Sequence, residues 1–384
     1  RVAEERSLAQ LSASQRVPAH DQGLTLRWQL PTMHAAGRHD LAIGGDARHV
    51  RGASRERLFP PVVSATSVTR REAGGAQLFA GGYIEHQYAA TAWLRLDSAV
   101  RFDQVRDFAG EQRIRRGDGT GEHTVYEGRS QHALNPRVGL LLRPLPMLAL
   151  RAAAYRAFRA ATLNELYRPF QVGTVLTAAN ARLRSERLLG AEAGVDLTPS
   201  ADLQVRLTGF WNALDDAVAN VTLAEPRADG ASRERQNVGR TRVRGLESTV
   251  AVRIASHLSV MGGYTFTDSS VQRGSDALRG KELAQAPRHR GSLQLAYDDP
   301  SLLTASLQVR AVSGQYEDDL NTLRMRGYAL VDLLLARRVW PHVDVFVAIE
   351  NLTNQDYLVG RAGIDTVGAP FFARFGLRVR DVEL

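Results

Sequence analysis

The chain has no cysteine among its 384 residues, which excludes disulfides, zinc–thiolate centres and iron–sulfur clusters. It has one lysine, Lys281, in a basic complement of 49, so its formal charge of +8 rests on arginine. Those arginines stand singly along the chain, as at Arg95, Arg101, Arg151, Arg206, Arg310 and Arg378. A nucleic-acid binder would gather them on one helix or ribbon, so no nucleic-acid partner is expected. No run of about 18 uncharged apolar residues exists, and a transmembrane helix is therefore excluded. Walker loops, nucleophile elbows and His-Glu-x-x-His metal motifs are also missing, so no enzymatic turnover and no cofactor are expected.

What the chain does have is alternation. Leu203-Gln204-Val205-Arg206-Leu207-Thr208-Gly209-Phe210 is one clean case, and Leu303-Thr304-Ala305-Ser306-Leu307-Gln308-Val309-Arg310-Ala311 is another. Side chains on a strand point to opposite faces with a period of two. Leu203, Val205 and Leu207 then share one face with Gln204, Arg206 and Thr208 on the other, and the same phase puts Leu303, Val309, Phe371 and Leu377 on the apolar side. The pattern predicts about sixteen strands, the first near Glu5–Val17, the second near Gly23–Leu30 and the last near Phe371–Arg380. A mean hydropathy of -0.25 looks water-soluble. Barrel strands escape such averages because every second residue is polar.

Connections fall into two sets that alternate along the chain. Short ones lie at Tyr88–Thr91, Pro144–Met147 and Ser256–His257. Long ones lie at Gly52–Ala76, Asp107–Asn135, Ala157–Arg187, Asp268–Arg290 and Asn351–Pro370. Up-and-down connectivity puts all short turns at one rim and all long loops at the other. A soluble sandwich has no reason to segregate loop lengths by parity, whereas an outer-membrane barrel does. The fold class expected is therefore all-β, an antiparallel transmembrane β-barrel, with very little helix beyond a turn near Ala161–Tyr167. Trp28, Trp93, Trp211, Tyr264 and Trp340 stand near strand ends, where a membrane interface or a sandwich core would both place them.

Few residues suggest chemistry. Asp215-Asp216 and Glu317-Asp318-Asp319 are paired carboxylates that suit either a cation or a solvated strand end. His86 with Tyr88, and His123 with Tyr126, suit either contact with a metal chelate or an ordinary exposed loop.

Three stretches resemble one family. Phe158, Arg159, Thr162, Leu163, Asn164, Glu165, Leu166 and Tyr167 closely match a segment of TonB-dependent outer-membrane receptors, with Ala161 where that family usually has proline. Asn180 to Gly194 is similar to the stretch that follows it there. Near the end, Asn351, Leu352, Asn354 and Tyr357 match a further family element. The resemblance implies a barrel of about 22 strands closed by a plug, of which residues 1–384 would be the C-terminal part, lacking plug and first strands. It also implies a bacterial outer-membrane location, lipid around the barrel, a monomer, and uptake of a ferric siderophore or cobalamin driven by the TonB complex acting through the plug. The ligand would sit in the extracellular vestibule, at residues the motifs do not identify. The start at Arg1, with neither Met nor a leader, gives the same expectation of a missing N-terminal part. A sheet cut from a larger barrel would have two free edges and stay open. A passive porin and a soluble all-β binding protein are the competing readings.

Overall fold

Hydrogen bonding, not hydrophobic burial, organises this protein. The computed structural model describes residues 13–59 and 68–379. Its wall runs through β1 (Ala19–Gln29), β2 (Arg38–Leu58), β3 (Thr69–Ala89), β4 (Leu94–Arg115) and β5 (Arg129–Leu145). It continues through β6 (Leu148–Arg159), β7 (Glu186–Ser200), β8 (Leu203–Thr222), β9 (Arg233–Ala255) and β10 (Leu258–Arg273). It ends with β11 (His289–Asp299), β12 (Leu303–Val312), β13 (Tyr328–Trp340), β14 (Val343–Glu350) and β15 (Phe372–Val379). Each wall strand pairs antiparallel with the next. One five-residue helix, α1 (Leu163–Tyr167), sits in the loop after β6.

The first two expected strands are in fact one. Ala13–Arg16 and β1 both pair with β2, in line with each other, and are separated only by Val17 and Pro18. Proline has no N–H to give the ladder, so it interrupts a strand without starting a new one. The part of the expected first strand before Ala13 lies outside the described residues, as does Arg380 at the end of the last. Two expected long loops are also shorter than the alternation suggests. β2 and β3 pair in register from Gly52 opposite Gly75 up to Leu58 opposite Thr69. β4 likewise continues to Arg115, where Gly121–Tyr126 folds back on it. Above the bilayer both faces of a strand meet water, so nothing enforces apolar alternation there.

Register carries the two faces around the wall. Leu94, Leu142, Leu150, Val195 and Leu207 form one continuous row across five strands. Leu148, Leu197, Val205 and Val250 form the row beside it. The opposite face is polar. There Arg206 and Arg151 both bind Asp196, at 3.0 and 3.2 Å, and Arg151 also donates to Thr208. The large apolar side chains on the first face stay exposed, Leu207 at 40%, Leu377 at 69% and Phe375 at 89%. Lipid is the solvent that suits them, and the polar face lines the lumen. No helix is long and apolar enough to cross a membrane among the described residues.

All short connections lie at one rim and all long loops at the other, as the antiparallel meander requires. Among the described residues, β1 pairs only with β2 and β15 only with β14. Over the described residues the sheet is therefore open between its first and last strands.

A charge on the lipid face should cost far more than a lost charge in the lumen. Val205→Arg is expected to impair assembly by about 2–4 kcal/mol if the residue sits near the bilayer midplane. Arg206→Val should be much milder. The heat-modifiable fraction on unboiled gels reads both, and equal losses would contradict the assignment of faces.

Candidate functional site

Most of the largest fully buried side chains among the described residues, Tyr167, Leu166, Leu183 and Met325 among them, lie at the long-loop rim. After β6 the chain turns inward at Ala161 and forms α1. Thr162 caps it: its hydroxyl accepts the Glu165 N–H at 3.2 Å, while the Glu165 carboxylate accepts the Thr162 N–H at 2.7 Å. That reciprocal pair satisfies two amide donors that a helix start leaves open. Leu166 and Tyr167 end the helix and are buried, at 0% and 2% exposure. They pack with Ala73, Ala161 and Leu183 against the lumenal face of β3 and β4.

Two glycines make room for Tyr167. A Cβ on Gly75 would lie 2.7 Å from its ring, and one on Gly110 would lie 2.5 Å away. Gly110 occupies an irregularity of the β3–β4 pairing, next to Ala109 at φ 51°. The bulge brings β4 backbone up to the ring. Tyr126 stacks on the other side, with ring centroids 5.2 Å apart.

Ion pairs lock the same loop to the wall. Arg159 binds Glu165 at 2.9 Å and also Glu186. Burial works against the charge on Glu165, but the Arg159 guanidinium and the Thr162 donors outweigh it and hold the carboxyl below its ordinary range. Glu56 accepts from Arg71 at 2.5 Å and from Arg168 at 2.9 Å. Gln77 bridges the Ala161 carbonyl and Asp107, each at 2.8 Å, and Arg129 closes on Asp107 at 2.9 Å. Arg235 donates to the carbonyls of Asn164 and Arg168 and lies 4.7 Å over the Phe170 ring. The last carbonyls of α1 thus find a cation.

Arg235 also faces a cavity of about 740 Å³ enclosed by the long loops. Its apolar side is built from Ala217, Val238, Val271 and Leu278, which form a second buried cluster. Its charged groups are Arg233 and Arg235, with Glu165, Glu186, Glu282, Glu317 and Asp319. Thr241 lines it with 0% exposure, and its hydroxyl has no partner in the protein. A buried hydroxyl without a partner is uncommon and costly. A polar atom delivered by a ligand or a water would satisfy it.

Of the motif residues, Glu165 alone lines this cavity. Thr162 to Tyr167 form the capped helix. Phe158 lies on the outer face of β6 opposite Arg187, while Arg159 points inward to Glu165 and Glu186. Asn351 is buried and holds its own loop, donating to the carbonyls of Gln355 and Ala369 and accepting from the Gln355 N–H. Leu352 is exposed, and its N–H donates to Val331. Asn354 accepts from the Phe371 N–H at 2.9 Å. Tyr357 packs against Tyr328 with its ring tilted and fills the space beside Gly368.

The acidic pairs are dispersed. Asp215 pairs with Arg240 while Asp216 pairs with Arg184. Asp318 accepts from the N–H groups of Thr322 and Leu323, and Asp319 accepts from Thr222. Among the described residues no group of His, Asp and Glu could hold a metal ion. His86 and Tyr88 stack with His39 at the short-turn rim, far along the strand from the cavity. His123 contacts Glu111, and Tyr126 is the stacking partner already described. The cavity is invisible to motif reading because it draws on four separate loops and on the ends of β7 to β10.

A model of the TonB dependent receptor-like β-barrel family matches residues 6–352. The metal-pseudopaline receptor CntO of Pseudomonas aeruginosa is 26% identical over 263 residues, which is 67% of this chain and 34% of that protein. The ferrichrome outer membrane transporter/phage receptor of Escherichia coli K12 is 30% identical over 180 residues, 44% of this chain and 22% of that protein. The chain thus spans about a third or less of these relatives. The solved ferric yersiniabactin uptake receptor FyuA from Yersinia pestis superposes with a TM-score of 0.72 at 16% identity, over 96% of this chain and 56% of that one. The siderophore receptor PiuA from Acinetobacter baumannii gives 0.74 at 15%, with the same coverage. At these identities the two structures show the fold alone.

Two outcomes test the loop. Gly110→Ala should displace Tyr167 and speed tryptic cleavage at Arg168, while Thr162→Ala should weaken α1 by about 1 kcal/mol. Adding Tyr167→Ala to Gly110→Ala should bring little further change, because both break one contact; fully additive effects would refute the packing. The second outcome concerns acid. Burial pushes the Asp318 carboxyl up, but donors from Leu323 and Thr322 outweigh it and hold it below its ordinary value. Its contribution is then present above about pH 4 and fades as the pH falls through the lowered folded value. Peptic cleavage of residues 313–327 should rise in acid, and Asp318→Asn should make that cleavage fast at mild pH too.

Proposed function

The chain belongs to the TonB-dependent receptor β-barrel family, and on that premise we propose that it forms the vestibule-bearing part of a receptor for active uptake of a metal chelate. Its place is the bacterial outer membrane. The observation that carries the reading is the cavity of about 740 Å³ under the long loops, on the lumenal side. Its size falls within the usual range for sites that enclose a small molecule. A lining that carries both guanidiniums and carboxylates suits a chelate that presents both anionic and cationic or amide groups. The relatives named as receptors for metal–pseudopaline, ferrichrome and ferrioxamine B support a siderophore-like ligand over cobalamin.

The proposal extends to the rest of the molecule. Transport needs further strands to close the sheet beside β1 and β15, a plug in the lumen, and the TonB complex as energy source. The receptor then works as a monomer in lipid, without turnover of its ligand. The family match and the segments at Thr162–Tyr167 and Asn351–Tyr357 argue against a passive porin.

Uptake of iron-55 loaded on ferrioxamine B or ferrichrome, in cells expressing the intact protein as their one siderophore receptor, tests the reading. Uptake should stop on deletion of TonB. Ala217→Phe, which fills the cavity, should lower binding at least about tenfold with heat-modifiable migration preserved. Uptake that persists without TonB would favour the porin.

A further inference from the structure

The charges that line the cavity are not equally free. Glu165 and Glu186 both bind Arg159, and Glu282 binds Arg288 at 2.7 Å. Four lining groups have no counter-ion among the described residues: Arg233, Arg235, Glu317 and Asp319. Arg235 donates to two backbone carbonyls and to no carboxylate. Arg233 makes no side-chain hydrogen bond among the described residues. Glu317 is buried, and its carboxylate accepts only the neutral amide of Gln285, at 3.1 and 3.2 Å. Asp319 accepts the N–H and the hydroxyl of Thr222, at 2.9 and 2.7 Å.

Register brings opposite charges together. Arg233 and Arg235 stand two apart on β9 and so share one face of the strand. Thr222 lies directly opposite Arg233 in the β8–β9 ladder, where side chains root about 5 Å apart. The bonds to Thr222 therefore hold the Asp319 carboxylate next to the root of the Arg233 side chain, yet the two form no ion pair. Further down β9, Thr241 points a hydroxyl at the same cavity, at 0% exposure and without a partner. The lining between is apolar, from Ala217, Val238 and Val271.

A ligand that brings a single charge leaves two of these four groups uncompensated as it expels their water, and an uncompensated buried charge is costly. A ligand with a carboxylate and an ammonium on one carbon answers both pairs. On the reading of this cavity as the chelate's site, we propose that the chelate carries a free α-amino acid group. Its carboxylate lies between Arg233 and Arg235, its ammonium against Asp319 and Glu317, and its body over Ala217 and Val238 toward Thr241. Guanidinium holds a carboxylate by paired N–H donors, and an ammonium has three donors to divide between two carboxylates. A neutral hydroxamate or amide would satisfy Thr241 but leave all four charges without partners.

The test uses the intact protein in dodecyl maltoside and four ferric trihydroxamates that hold iron alike and differ at one end. They are ferrioxamine B with its free amine, its N-acetyl form, its N-succinyl form, and the form acylated through the side-chain carboxyl of aspartate, which leaves a free α-amino acid. Quenching of tryptophan fluorescence reads binding. The amino-acid form should bind at least about tenfold tighter than the acetyl form, and tighter than either singly charged form. R233Q should abolish its advantage over the amine form, and D319N its advantage over the succinyl form, with heat-modifiable migration preserved. An advantage that both variants retain overturns the proposal. If neither variant assembles, the wild-type ranking decides alone. Equal binding of all four, or tightest binding of a singly charged form, overturns the amino-acid group and leaves the chelate site standing. Binding of none overturns it as well, and iron uptake on ferrichrome then decides separately whether the cavity serves a chelate.

Discussion

In hydrocarbon a backbone N–H has no water to bind, and leaving it unpaired costs several kcal/mol. Strand pairing is therefore the interaction on which the rest of this structure depends. It fixes a meander in which each wall strand lies beside its sequence neighbours. The meander sorts turns to one rim and loops to the other. Register then carries rows such as Leu142, Leu150, Val195 and Leu207 from strand to strand. A slip of one residue would turn Arg206 to lipid and Val205 to the lumen, so the faces and the register enforce each other.

Burial matters only where the loops fold inward. The cluster around Leu166 and Tyr167 is small, and it packs α1 against β3 and β4. α1 is too short to be stable alone. It persists because Thr162 and Glu165 cap it, Arg159 and Arg235 hold its ends, and Tyr167 fills the slot at Gly75 and Gly110. The same Arg235 that satisfies the helix carbonyls stands at the cavity, which couples the scaffold to the site.

Much of the wall is legible from residue alternation, and the reasons for the exceptions are physical. Leu203 to Phe210 reads as a strand because lipid and lumen select opposite residues on its two sides. Arg55, Glu56 and Arg57 do not, because that end of β2 stands above the bilayer with polar groups on both faces. Pro18 reads as a strand boundary, yet the ladder with β2 resumes at Ala19. Asp318 and Asp319 read as a possible cation pair, but their carboxylates turn apart to cap different loops. Single acidic neighbours carry no information on which donors the fold will bring to them.

By itself the sequence determined the antiparallel wall, its two faces, the parity of its loops and, through the segments around Thr162 to Tyr167 and Asn351 to Tyr357, the family it resembles. All of these rest on residues close together in the chain, where a period of two or a short motif can be read directly. Only the tertiary structure decided the slot for Tyr167, the cavity beside Thr241 and the meeting of Arg233 with Asp319. Each joins residues from several strands or loops, and their meeting depends on register and bulges that no local pattern contains.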